Sequence, residues 1–170
     1  SNGIPLTADL DYRDTNAPNL DLDGDNLLTG NDFNSIYYTP GSPVSIADDV
    51  LIEDSDDINL QRALIHLKTR PDGDGAESLV VNGTLPTGIT ATVYDETTGT
   101  IELSGNASIA NYQIAIAQIE YTNAIGIKTS DRLVDVIVND GIHDSNIATT
   151  TIDLDAPPFI DLDGNDSSFI

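Results

Sequence analysis

Aspartates in this chain fall in pairs one residue apart: Asp21-Leu22-Asp23, Asp54-Ser55-Asp56, Asp153-Leu154-Asp155 and Asp161-Leu162-Asp163. Short carboxylates at that spacing on loops bring several oxygens to one point, which suits a hard cation taking roughly six to eight oxygen ligands. Of the 29 acidic residues, 24 are Asp and 5 are Glu, unlike the Glu-rich composition of a charged helix or a solvating tail. Scattered surface acids would serve solubility alone. Pairs at loop positions point instead to Ca²⁺, and that is the first expectation.

The rest of the composition limits the alternatives. A formal charge of -23 on 170 residues leaves only 6 Lys and Arg, too few for the basic stripe that nucleic acid requires, and disfavours contact with anionic membrane. The apolar fraction of 39% and mean hydropathy of -0.14 suit one domain with its own core. His66 and His143 lie far apart and no Cys accompanies them, so zinc is not expected; His66 reads as a strand residue. Without Cys there are no disulfides, which leaves bound ions as the stiffening device, and extracellular calcium is abundant enough for weak sites. No Ser/His/acid or Cys/His set stands at recognisable spacing, so an enzyme is not expected. The longest apolar runs are too short to span a membrane, and with no Met the chain reads as a piece of a larger one, with Ser1-Asn2 an expression remnant.

One acidic segment occurs twice. Asp14-Thr15-Asn16-Ala17-Pro18 leads into Asp21-Leu22-Asp23-Gly24, and Asp153-Leu154-Asp155-Ala156-Pro157 leads into Asp161-Leu162-Asp163-Gly164. A period of roughly 140 residues is that of an array of whole domains rather than of a solenoid. Residues 1–16 are accordingly read as the end of a preceding linker, 17–157 as one repeat, and 158–170 as a linker and the start of the next.

Short runs rich in Val, Ile, Thr and Tyr, separated by Gly, Pro, Asn and Asp, predict an all-β sandwich. The expected strands are 33–39, 44–47, 50–52, 60–68, 78–81, 89–94, 100–104, 119–123, 133–138 and 148–154. In 133–138 the alternation places Val134, Val136 and Val138 on the core face. One segment breaks the pattern: Ser108 can cap a short helix over 108–117 whose Ile109, Tyr112 and Ile116 form a helical stripe continued by Ile119. Thr97-Thr98-Gly99 and Leu85-Pro86-Thr87-Gly88 read as turns. In the loop 69–77, Asp72, Asp74 and Glu77 offer a further cation site, with a solvated loop as the plainer reading.

Several motifs then resemble a known family. Val50-Leu51-Ile52-Glu53-Asp54-Ser55-Asp56 followed by Asn59 looks like the cadherin strand that runs into an Asp-x-Asp loop and a downstream Asn. Tyr94 to Ile101 resembles the cadherin hairpin with Thr-Gly, Val138-Asn139-Asp140-Gly141 its strand closing on Asp and Gly, and Thr150 to Pro157 its last strand and Pro-containing linker. The order is that of a cadherin, and the pattern is most similar to the long cadherin-like repeats of large bacterial surface proteins and adhesins. This resemblance implies a Greek-key, immunoglobulin-like sandwich, an extracellular or cell-surface location, and adjacent repeats of the same chain as partners. It implies calcium ligands at the N-terminal pole from Asp54, Asp56 and Asp140, a backbone oxygen from Asn59, and completion by Asp14 and Asn16, with Asp11 as an extra ligand. At the other pole Asp153 and Asp155 would meet the next repeat. Two departures fall on that pole: the region of Tyr38-Thr39-Pro40-Gly41 lacks the family's Glu, and Leu103-Ser104-Gly105-Asn106 lacks its acidic group, so fewer ions are expected there.

Asp21, Asp23, Asp25 and Asp32 also approximate an EF-hand-type loop, although the bidentate Glu at its end is missing. The alternative is a first strand with Leu20 and Leu22 inward and its acids outward. For function, a calcium-stiffened spacer stands against a module that recognises glycan or a partner protein through end loops. Tyr37, Tyr38 and Tyr112 are candidate contacts for the second, though each also reads as core packing.

Overall fold

The computed structural model describes residues 16–25, 30–37, 43–125 and 130–154. The described residues are all-β with one short helix. A six-stranded sheet contains β2 (Phe33–Ile36), β11 (Ala148–Asp153), β10 (Arg132–Asn139), β5 (Asn59–Leu67), β8 (Thr100–Ser108) and β7 (Thr90–Ala91), in that order. Opposite it lie a three-stranded sheet of β3 (Val44–Ser45), β9 (Ile119–Asn123) and β6 (Glu77–Val81) and a pair of β1 (Asn19–Asp21) with β4 (Leu51–Glu53). Neighbours are antiparallel except β2, which runs parallel to β11.

Alternation accounts for the core. Val134, Val136 and Val138 are fully buried, as the pattern predicts, and share one core with Ala63, Ile65 and Leu67 of β5 and Ile101 and Leu103 of β8. Leu79, Ile119 and Tyr121 close the core from the three-stranded sheet. Fully burying aliphatic side chains of this size stabilises the fold by about 1.5–3 kcal/mol each. Tyr37 and Tyr112 are buried too, which removes both as surface contacts; Tyr38 lies outside the described residues.

The helix α1 (Ile109–Ala117) forms where expected. Ser108 Oγ accepts from the Asn111 N–H at 3.3 Å, and the Gln118 N–H closes the far end on the carbonyls of Ala115 and Ile116. Its β-branched residues are poor helix formers, so packing must hold it. Tyr112, Ala115 and Ile116 are buried, and the Tyr112 hydroxyl donates to the Gly105 carbonyl at 2.7 Å. Burial pushes the Tyr112 hydroxyl up to about 12.

Three expectations are corrected. The run 89–94 pairs only at Thr90–Ala91, whereas β8 extends to Ser108, because β5 supports β8 along its length with a bulge between Leu60 and Arg62. The first strand does turn Leu20 and Leu22 inward, but its acids are not outward: Asp21 and Asp23 are both buried. The loop 69–77 is not simply solvated. The guanidinium of Arg132 is completely buried and donates from Nε to Glu77 Oε2 and from Nη2 to Asp72 Oδ2, both at 2.8 Å. Glu77 Oε2 also accepts from the Tyr121 hydroxyl at 2.8 Å, and Asp72 Oδ2 from Asn123 Nδ2 at 2.9 Å. An arginine thus stands where the sequence suggested a bound cation.

The Thr97-Thr98-Gly99 hairpin closes on Asp95, whose Oδ1 accepts from the Thr97 N–H at 2.8 Å while Gly99 adopts φ +75°. The N–H of Thr97, then the Thr98 hydroxyl and N–H, hold the Asp95 carboxyl below its ordinary value of 3.8. A depressed carboxylate stabilises the turn at pH above that value and loses the contribution as the pH falls through the lower folded one. A carboxyl-detected NMR titration is expected to place the Asp95 midpoint below 3.8, and a midpoint at or above it contradicts the turn geometry.

Candidate metal centre

The carboxylates of Asp54, Asp56 and Asp57 offer ligand oxygens that all lie within 4.8 Å of one another, a group not matched elsewhere among the described residues. The local fold explains why. After β4 the chain turns on Asp54, whose Oδ1 accepts from the N–H of Asp56 at 3.2 Å and of Asp57 at 3.1 Å. That turn draws the next two carboxylates back toward the first. Asp54 Oδ2 is buried and receives no hydrogen bond.

A second loop repeats the device. Asp140, just past β10, accepts on Oδ1 from the N–H of Ile142 at 2.6 Å and of His143 at 2.7 Å. Its side chain is wholly buried, Oδ2 receives no hydrogen bond, and His143 Nδ1 stands 3.9 Å away. The register Asn139↔Arg62 places this loop at the end of the sheet where β5 begins, the same end that the Asp54 loop enters. The junction of linker and repeat reaches the same pole: Asn16 Nδ2 donates to Ser55 Oγ at 2.8 Å, and an open depression there is lined by Asn16, Ala17, Glu53, Asp54 and Ser55. Asn146, in the Asp140 loop's continuation, clamps the Leu20 backbone by accepting from its N–H and donating to its carbonyl, both at 2.8 Å.

A buried carboxylate oxygen without a donor costs free energy unless a charge compensates it. Asp54 Oδ2 and Asp140 Oδ2 are two such acceptors on loops at the same end of the sheet, and a hard divalent cation is the chemistry that would satisfy such oxygens. Asp54, Asp56 and Asp57 would hold it. Asp140 is outside the 4.8 Å group, on a separate loop at the same end of the sheet. Asp57 went unnoticed in the Asp-x-Asp spacing, and the turn on Asp54 is what recruits it.

The remaining candidates are placed differently. Asn59 is the first residue of β5, paired with Ser108. Asp11, Asp14 and Asp155 lie outside the described residues. Asp153 ends β11, and since Arg132 pairs with Ile152 it sits at the opposite pole, where its carbonyl accepts from the Tyr37 N–H at 2.8 Å.

The EF-hand-like set is not drawn together. Asp21 Oδ1 accepts from the Asp23 N–H at 2.9 Å, Asp32 Oδ1 accepts from the Thr149 N–H at 2.7 Å, and Asp25 is exposed. Gly24 has its own reason to be glycine: a Cβ there would lie 2.4 Å from the Asp49 carbonyl oxygen. The first copy, Asp21-Leu22-Asp23-Gly24, therefore carries strand and turn constraints of its own, and the second copy lies outside the described residues.

Compared with family models, with curated proteins and with solved structures, the chain matches none. Its functional reading thus rests on the geometry of its own residues. Among the described residues no helix is long and apolar enough to cross a membrane.

Proposed function

We propose that this chain is a calcium-binding, cadherin-like repeat of a large bacterial extracellular adhesin, acting as a stiffened spacer between adjacent repeats. The observation that carries this reading is the pair of buried, donor-less carboxylate oxygens, Asp54 Oδ2 and Asp140 Oδ2, beside the Asp54–Asp56–Asp57 group. Their position supports an interdomain role. They lie at the pole entered by the first copy of the duplicated segment, where Asn16 already touches the Asp54 loop. The same two loops expose apolar side chains, Ile58 at 80% and Ile142 at 68%, which a preceding repeat would cover.

A cation at this pole would neutralise acids that otherwise repel the joint of a chain carrying -23 charges. The opposite pole differs, since Asp72 and Glu77 there are compensated internally by Arg132. Two such repeats in series are expected to give a larger radius of gyration by small-angle scattering in calcium than in chelator. Superimposable profiles would overturn the stiffening role.

A further inference from the structure

The sandwich is left open along one side. Among the described residues, strand β6 is the edge of the three-stranded sheet and β7 the edge of the six-stranded sheet, each with a neighbour on one side only. A depression between them is lined by Ser78, Leu79, Val80 and Val81 of β6, by Thr92, Val93 and Tyr94 after β7, and by Ile101 and Glu96. Alternate residues of a strand point to opposite faces, so a wall of consecutive residues is a strand's edge rather than its face. The depression is therefore the mouth between two open sheet edges, and the buried residues Leu79 and Ile101 form its floor.

Open edges of this kind template strand pairing, and proteins usually blunt them with Lys, Pro or a covering segment. The β6 edge reads Glu-Ser-Leu-Val-Val, without Lys or Pro. Val93, a β-branched apolar residue, stands 90% exposed at the rim.

We propose that this mouth is a docking site for an extended, basic segment of a partner protein, added as a strand along β6 with its apolar side chains on Leu79, Val93 and Ile101. Charge decides the occupant. Asp95 and Glu96 are exposed beside Val93, and the whole chain carries -23, so a second copy pairing here brings like charge against like. A strand with Lys or Arg flanking alternating Val and Thr meets an acidic rim and an apolar floor. The site lies along the side of the sandwich and is independent of the calcium pole.

The test is an NMR titration of the full chain with two synthetic peptides of alternating Val and Thr, one flanked by Lys and one by Glu. The Lys peptide is expected to shift the amides of Ser78–Val81 and Thr92–Tyr94 and to slow their hydrogen exchange, while the Glu peptide leaves them unchanged. Val93→Lys, at an exposed position that leaves the melting temperature unchanged, is expected to weaken the Lys peptide by about tenfold or more. No shift at these amides, equal shifts with both peptides, or protection of these amides in a self-associated chain without peptide would each overturn the proposal.

Discussion

Arg132→Met is expected to cost about 3–5 kcal/mol, the loss that follows when one partner of a buried ion pair is removed and the other is left charged. Glu77 and Asp72 would both be stranded, since their side chains are as buried as the guanidinium. The network also ties β6, β9 and β10 together through the Tyr121 hydroxyl and Asn123 Nδ2, so the loss reaches three strands and the loop 69–77. Against a typical stability of about 5–15 kcal/mol, this removes a large share, on the order of 10 °C in melting temperature for a chain of this size. Combining Arg132→Met with Glu77→Gln and Asp72→Asn is expected to recover part of the loss, because the carboxylates no longer need a counter-charge. Additive losses in denaturant unfolding of the unaltered chain, Arg132→Met, the Glu77→Gln/Asp72→Asn double variant and the triple variant would contradict the view that the arginine compensates these acids.

Asp140→Asn is expected to change sign with the metal. In chelator the buried Asp140 Oδ2 has no donor, so an uncharged side chain in its place leaves stability equal or higher. In calcium the same substitution is expected to remove a charge that would help hold an ion at this pole, so the metal's contribution should fall. Asp54→Asn should weaken calcium binding in the same direction, while disturbing less than Asp54→Ala because Oδ1 still accepts the Asp56 and Asp57 N–H groups. Calorimetric calcium titration of the two variants checks the order: affinity should fall at least tenfold in each. Asp32→Asn, whose carboxylate closes on the Thr149 N–H, should leave calcium affinity unchanged.

Much of the sandwich was legible because its strands alternate. Val134 to Val138 and Ala63 to Leu67 carry a period of two that permits one core face, and Ser108 ahead of a helical stripe marks the helix α1. Strand extents were less legible: whether Thr90 to Tyr94 pairs depends on where β8 lies, and β8 is positioned by β5, far away in sequence. The buried arginine was illegible for the same reason. Its partners Glu77 and Asp72 are 55 and 60 residues distant, and no local pattern separates a buried charge from an exposed one.

The candidate site divides along similar lines. The Asp-x-Asp spacing picked out Asp54 and Asp56, and the resemblance added Asp140, yet both rest on a loop turn whose consequence for Asp57 only the folded backbone reveals. The Asp-x-Asp pairs at Asp21 and at Asp54 have the same spacing and different surroundings. In the first, Leu22 is buried and Asp21 caps its own turn; in the second, an exposed Ser55 lets three carboxylates converge.

The central claim is that the Asp54 pole binds calcium, and thermal unfolding of this chain in calcium and in chelator tests it most directly. At a calcium concentration about 50 times Kd, binding to the native state alone adds about 2 kcal/mol, which raises the melting temperature by about 5 °C or more. The rise should shrink in Asp54→Asn and in Asp140→Asn. Identical melting curves in calcium and chelator would contradict the account.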